Sequence, residues 1–195
     1  RATSNEIYIA KPIDDPVKAK FVRQHLFRRQ HRSLKSVAPK TNSRSNWSEY
    51  MSDLHYPDVS FSAKQDFVSS RLDQIRPDRV LDVGCNTGHF SALAAKSGSE
   101  VVSIDTDSVV IDRLWQYARE KSLNILPLVQ NLASPSAALG WRNKERPSFL
   151  ARAKGHFDLV LMLAVIHHLA IAERIPLMEI VCLCAEITKK YAILE

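Results

Sequence analysis

From about residue 60 onward, short apolar runs alternate with segments whose apolar residues recur at helical spacing. Ser62-Ala63-Lys64-Gln65 has the form of a capping box, and Phe67, Val68, Leu72 and Ile75 then mark one face of a helix ending before Pro77. Arg79-Val80-Leu81-Asp82-Val83 is short, apolar and rich in β-branched residues, so it predicts a buried strand. His89 to Lys96 predicts a helix with Phe90, Leu93 and Ala94 inward and Gly98 as its stop. Residues 100–104 predict a second strand, and Ser108 caps a helix running to about Lys121 with Val110, Leu114 and Ala118 on one face. Residues 125–129 predict a third strand, which Pro127 places at a sheet edge. Residues 157–163 form a near-continuous apolar run, the pattern of a central parallel strand. Pro176 opens a helix carrying Leu177, Ile180, Val181, Cys184 and Ile187, and Tyr191 to Glu195 begins a fifth strand. Repeated strand–helix alternation predicts an α/β fold, a doubly wound and mostly parallel sheet with helices on both faces.

The first 46 residues differ from this body. They carry 11 Lys/Arg against 3 Asp/Glu, a net +8, whereas residues 47–195 carry 16 against 18, a net −2. The overall charge of +6 therefore belongs to the N-terminal quarter. Within it, residues 17–37 predict a basic amphipathic helix, with Val17, Phe21, Val22, Leu26 and Phe27 at roughly helical spacing, and 38–46 read as a polar linker. The expected organisation is a basic extension and linker over 1–46 followed by a cofactor-binding domain over 47–195. A basic extension can attract RNA or another anionic surface; the plainer reading is a solvated helix face covering a cleft.

Composition narrows the class. With 195 residues, 45% hydrophobic and 25% charged, the chain is neither a disordered polymer nor a disulfide-framed miniprotein. Its three cysteines are odd in number and lack zinc-ribbon spacing, so neither a disulfide framework nor a metal site is expected, and a reducing, cytoplasmic setting is the simplest. No apolar run reaches the length of a membrane span. The opening RATSNEIYIA is not a secretory signal, and it lacks Met.

The densest chemistry lies in Val80-Leu81-Asp82-Val83-Gly84-Cys85-Asn86-Thr87-Gly88-His89-Phe90. It follows a predicted strand and opens a predicted helix, so glycines there allow a sharp turn and close approach of a ligand to helix N–H groups. Asn86 stands where glycine would be commonest, and asparagine tolerates left-handed geometry. Asp105 ends the next predicted strand, and a carboxylate there can accept both hydroxyls of a ribose. The glycines are spaced G-x-x-x-G, not G-x-G-x-x-G, and Asp82 precedes the first of them by two residues. An anion at that place repels a pyrophosphate and suits a cationic α-amino group. A ligand with an amino-acid head, a ribose and an adenine satisfies both carboxylates; S-adenosylmethionine is that ligand.

On these residues the sequence resembles the class I S-adenosylmethionine-dependent methyltransferases from about Phe61 to Glu195, through VLDVGCNTGHFS and VVSIDTD. The resemblance implies a Rossmann-like methyltransferase fold. It implies that Asp82, Gly84 and Gly88 surround the methionyl part, that Asp105 holds the ribose, and that Asn131 meets the adenine amino group. Cys85, Asn86, Phe90, Thr106, Leu132 and Leu163 complete the expected cofactor set. The family more often has Asp at the position of Asn131. The strip LGWRNKERPSFLARAKGHFDLVLMLAVIHHL is similar to a bacterial subgroup that includes nodulation-type host-specificity methyltransferases. A shorter likeness, LDVGCNTGH, is to the bicoid-interacting-type RNA cap and phosphate methyltransferases. The expected function is methyl transfer to an unidentified acceptor. Its alternatives are an RNA methyltransferase using the basic arm and a cofactor-binding but inactive module.

His167 and His168 follow the fourth strand and are candidates for a general base, or for packing with a ring N–H bonded to backbone. No catalytic residue is required, because a sulfonium methyl is already activated and transfer can proceed by alignment alone. Trp141, Arg142 and Arg146 lie in the long connection before the fourth strand, as substrate-side candidates or as a solvated loop. Trp47, Tyr50 and Tyr56 read as a lid or as anchoring, and Cys182 and Cys184 as buried, inert thiols. The resembled family has seven strands, the last two antiparallel. The chain stops inside the fifth, so the expectation is either a C-terminally incomplete domain or an edge that something else covers, Ile7-Tyr8-Ile9 being one candidate.

Overall fold

A computed structural model describes residues 13–37 and 58–195. The expected linker over 38–46, the aromatic residues Trp47, Tyr50 and Tyr56, and the segment Ile7-Tyr8-Ile9 lie outside the described residues. Two units are present, residues 1–41 and 42–195. In the first, helix α1 spans Pro16–Ser36. Asp15 caps it by accepting from the amides of Val17 and Lys18 at 2.8 and 3.3 Å, and Pro16 fits the first helical position, where no amide donor is needed. None of its residues is buried, and Val17, Phe21, Leu26, Phe27 and Leu34 are exposed.

The second unit begins with α2 (Asp58–Ile75) and then alternates β1 (Arg79–Val83), α3 (His89–Lys96), β2 (Glu100–Asp105), α4 (Ser108–Glu120) and β3 (Ile125–Val129). It continues through α5 (Phe149–Ala153), β4 (Phe157–Met162), α6 (Leu177–Ile187) and β5 (Thr188–Leu194). The five strands form one sheet in the order β3-β2-β1-β4-β5, every pairing parallel. Chain order reverses between β1 and β4, which opens a crevice at the carboxyl ends of the central strands. Successive side chains leave a strand on opposite faces. Val80, Val101, Leu159 and Leu161 accordingly pack with Val68, Leu72 and Ala94 beneath α2 and α3. Leu81, Val83, Ile104, Val160 and Met162 pack with Phe149, Ile180, Cys184 and Ile187 beneath α5 and α6. Burial on both faces explains why β4 is apolar almost throughout.

Several predicted details shift. Helix α2 begins at Asp58, so Ser62 lies inside it and is not a cap. Val68 and Leu72 are fully buried, whereas Phe67 is exposed and carries the Arg71 guanidinium 5.2 Å from its ring centre. The cap of α4 is Asp107, which accepts from the Val109 amide at 2.8 Å; Ser108 is the first helical residue. Strand β5 begins at Thr188, three residues before the predicted start. The Thr188 hydroxyl donates to the Cys184 carbonyl at 2.6 Å while its backbone turns extended, so the helix passes into the strand without a loop. Cys184 is buried but Cys182 is exposed, contrary to the expectation for both.

Candidate functional site

Asp82 is the fourth residue of β1 and leaves the sheet on the face covered by α3. In register beside it on β2 is Ser103. Ser91, on the first turns of α3, sits above both. The Ser103 hydroxyl donates to Ser91 Oγ at 2.8 Å, and the Ser91 hydroxyl donates to Asp82 Oδ2 at 2.5 Å. Asp82 is only 3% exposed. Burial pushes its carboxyl up to about 6; Ser91 and the Lys64 ammonium offset part of that rise, and Asp105 adds to it.

Asp105 ends β2 and is clasped by two turns. Its Oδ2 accepts from the Asn86 amide at 2.9 Å and its Oδ1 from the Asp107 amide at 3.0 Å. The amides of Gly84 and Cys85 both donate to the Ile104 carbonyl, so the glycine turn is bolted to the end of β2. Gly84 and Gly88 have φ of +67° and +83°. The space beside them is filled by protein: a Cβ at Gly84 would stand 2.3 Å from Val165, and one at Gly88 2.2 Å from Leu114. The glycines thus permit the backbone turn and let neighbouring side chains close against it. Asn86 takes φ +48°, and its Oδ1 is buried without a hydrogen-bond partner.

A cavity of about 340 Å³ opens over this region. Asp82, Gly84, Cys85, Asn86, Phe90, Asp105, Thr106, Asn131, Leu132 and Leu163 all line it. Of the expected cofactor set only Gly88 does not. His168 lines the cavity and His167 does not, although the two rings lie 4.1 Å apart. Burial, then the neighbouring His167, lowers the pKa of His168, so its ring is neutral near pH 7. Trp141, Arg142 and Arg146 are not brought to the cavity; Trp141 is 78% exposed on a short turn tied by a Leu139–Arg146 bridge. Asn131 Oδ1 accepts from the Ala133 amide at 2.8 Å, which leaves it a second lone pair. The Cys85 thiol is raised far above its ordinary range by burial and then by Asp82 and Asp105, so it is an inert wall.

Other wall residues escaped the sequence reading. Phe61 packs against His89 and Phe90 with ring centres 5.0 and 6.1 Å apart, and His89 Nε2 is 3.0 Å from Gln65 Oε1. Lys64 pairs with Glu195, and its Nζ lies 5.3 Å from the Phe90 ring centre. These residues of α2 sit one helical turn apart. That spacing was the available signal, but it read as a capping box because it included Ser62 and Gln65. Among the described residues, no group of three or more His, Cys, Asp or Glu could hold a metal ion, and no helix is long and apolar enough to cross a membrane.

A family model described as a methyltransferase domain matches residues 23–177. The chain belongs to the methyltransferase domain family. This methyltransferase domain is 35% identical over 147 residues to the nodulation protein NoeA of Rhizobium meliloti (strain 1021), covering 75% of the chain and 30% of that protein. It is 30% identical over 92 residues to a ubiquinone biosynthesis O-methyltransferase of Caulobacter sp. (strain K31), covering 47% of the chain and 31% of the relative. The chain therefore spans less than a third of the length of these curated relatives. The solved structure of the bifunctional kinase-methyltransferase WbdD shares the fold at a TM-score of 0.54 and 22% identity, over 84% of the chain and 34% of WbdD. The nodulation-type likeness and the Rossmann-like methyltransferase architecture expected from the sequence both hold.

Proposed function

We propose that the cavity binds S-adenosylmethionine and that the protein transfers its methyl group to a small-molecule acceptor. The observation carrying this reading is the pair of carboxylates, Asp82 and Asp105, on adjacent strands of one cavity wall. Register places their Cα atoms one strand across and two residues along, roughly 8 Å apart by sheet geometry. The residues fit the group. Asp82 is poised to ionise beside a cationic α-amino group, Asp105 is held by two amides while each oxygen retains accepting capacity, and the buried Asn86 Oδ1 has a vacant acceptor. Cys85, Asn86 and Phe90 would line the amino-acid head, Thr106 the ribose, and Asn131 and Leu132 the adenine, with Leu163 also at the cavity wall.

When bound, S-adenosylmethionine supplies an electrophilic methyl on a sulfonium. The protein's part is then alignment of an acceptor atom within about 3–3.5 Å and exclusion of water. His168, neutral at the cavity wall, takes the proton of an acidic hydroxyl acceptor. The name of the Caulobacter relative, an O-methyltransferase, favours oxygen over nitrogen or carbon. The three free thiols suit a reducing cytoplasm.

A second reading, methylation of RNA, is favoured by α1, whose Lys18, Lys20, Arg28, Arg29, Arg32 and Lys35 are all exposed. Radiolabelled S-adenosylmethionine incubated with small-molecule extract and, separately, with RNA decides between them. Label entering the small-molecule fraction alone supports the first reading, and label entering RNA supports the second. Label in neither, with the cofactor still bound, supports an inactive binding module.

A further inference from the structure

Under α2 and α3 the sheet packs Val80, Val101 and Leu161 against Val68, Leu72 and Ala94. Into that apolar side it also takes three polar side chains, Asp82, Ser91 and Ser103, and the two serines have no exposed surface at all. Alanine on α3 and valine on β2 would fill the same places without the cost of burying a hydroxyl. The serines therefore serve something besides packing, and the group they reach is Asp82. We propose that Ser91 and Ser103 are positioning residues that hold Asp82 as a carboxylate through its Oδ2 and leave Oδ1 to the ammonium of the bound adenosyl amino acid, an inference that rests on the S-adenosylmethionine reading above.

Proton counting carries the argument. Three oxygens, Ser103 Oγ, Ser91 Oγ and Asp82 Oδ2, are joined by two hydrogen bonds, of 2.8 and 2.5 Å. Two links need two protons, and the two hydroxyls supply them when Asp82 is ionised. Because Ser91 accepts from Ser103, its own proton is committed to Asp82, and hydrogen bonds in such a chain reinforce one another, most of all when they end on a charge. A proton added at Oδ2 would be a third, with no place in the chain. One added at Oδ1 would turn the oxygen left for the ligand from an acceptor into a donor. Burial is the largest influence on Asp82 and opposes its ionisation, and the Ser91 hydroxyl is the largest that favours it. The charged groups around Asp82 are Asp105 on β2, which also opposes ionisation, and Lys64 on α2, which favours it. In the glycine turn the Cys85 thiol stays neutral, β4 presents Leu161 in register, and the His89 ring of α3 is engaged by Gln65 Oε1 at 3.0 Å. His168, Glu173 and Glu195 line the same cavity. Substituting either serine leaves all of these groups in place.

The chain of hydroxyls thus sets the pH range over which the head of the ligand is held. Titration calorimetry of the 195-residue chain with S-adenosylhomocysteine, repeated from pH 5 to pH 8.5, measures it. Ser91→Ala moves the midpoint of the affinity profile up by about one to two pH units, the worth of one hydrogen bond to a charged group. Its affinity is then about 10- to 100-fold below wild type at pH 5 and within about twofold at pH 8.5. Ser103→Ala, one link further away, moves the midpoint in the same direction by less, and Ser91→Thr, which keeps the hydroxyl, restores the wild-type profile. An unmoved midpoint in Ser91→Ala overturns the proposal. So does a loss of equal size at every pH, which marks Ser91 as packing alone. Where Ser91→Ala does not fold, Ser103→Ala decides by the same criteria. Failure of the wild type to bind S-adenosylhomocysteine at any pH overturns instead the cofactor reading beneath it.

Discussion

Asp82 combines near-complete burial with a task that requires a negative charge. Its carboxyl, raised to about 6 by burial, is protonated in much of the protein below that pH. An ammonium ligand binds the ionised form, so affinity for S-adenosylhomocysteine falls as pH drops from 7 to 5, and binding near pH 6 releases a proton. Titrations in buffers of different ionisation heat measure both effects; a flat profile removes Asp82 from the amino-acid head. The same shift bears on stability. The folded pKa lies above the ordinary 3.8, so the fold favours the protonated form, and this contribution is complete below about pH 4 and lost as pH rises through about 6. Asp82→Asn should therefore gain up to about 3 kcal/mol over wild type at pH 8 and little at pH 4, as read by urea unfolding, while binding S-adenosylhomocysteine more weakly. Asp82 and Asp105 were legible in the sequence because strand, glycine turn, helix and second strand occur in order around them. Ser91 was not, since its importance depends on which face of α3 meets Asp82. The glycines were legible as a turn; that an added Cβ would meet Val165 at one and Leu114 at the other was not. Gly88→Ala would place a methyl 2.2 Å from Leu114 at φ +83°, and thermal unfolding should show a loss of about 2–4 kcal/mol.

Element by element, strands were easier to read than helix ends. The runs for β1, β3 and β4 are apolar because the sheet buries them or because an edge tolerates Pro127, so composition alone marks them. The start of β5 was hidden because Thr188-Lys189-Lys190 is polar on a strand whose face is largely exposed. In α2 the difficulty was rotational. Phe67 and Val68 are adjacent apolar residues, and only the contact with β1 and β4 decides that Val68 faces inward. Val68→Ala should cost about 1–3 kcal/mol in chemical denaturation, whereas Phe67→Ala should stay within about 1 kcal/mol. Equal costs would mean that α2 is rotated from this arrangement. The part of the cavity wall contributed by α2, with Phe61 and Lys64, was invisible for the same reason: a helix preceding the first strand reveals its inward face only once its partner is known.

At the scale of the whole molecule, charge and chemistry are separated. The +8 extension carries a helix with no buried residue, while the −2 body carries the cavity. Residues 1–41 form one of the two compact units and the cavity lies in the other, so deleting them should leave S-adenosylhomocysteine affinity within about twofold and abolish salt-sensitive retention on RNA. Filter binding at two salt concentrations checks the second point, and unchanged RNA retention would remove the role proposed for α1. The fold class was legible because strand–helix alternation admits few topologies. The acceptor was not, because its recognition depends on which side chains gather at the carboxyl ends of strands far apart in sequence. The central claim is that one cavity, between Asp82 and Asp105, receives an adenosyl amino acid and not a dinucleotide. Calorimetric titration of the 195-residue chain with S-adenosylhomocysteine and, in parallel, with NAD tests it most directly. The structure predicts saturable one-to-one binding of S-adenosylhomocysteine, weakened at least about tenfold by Asp105→Ala, and no heat with NAD. Saturable binding of NAD with none of S-adenosylhomocysteine would contradict it.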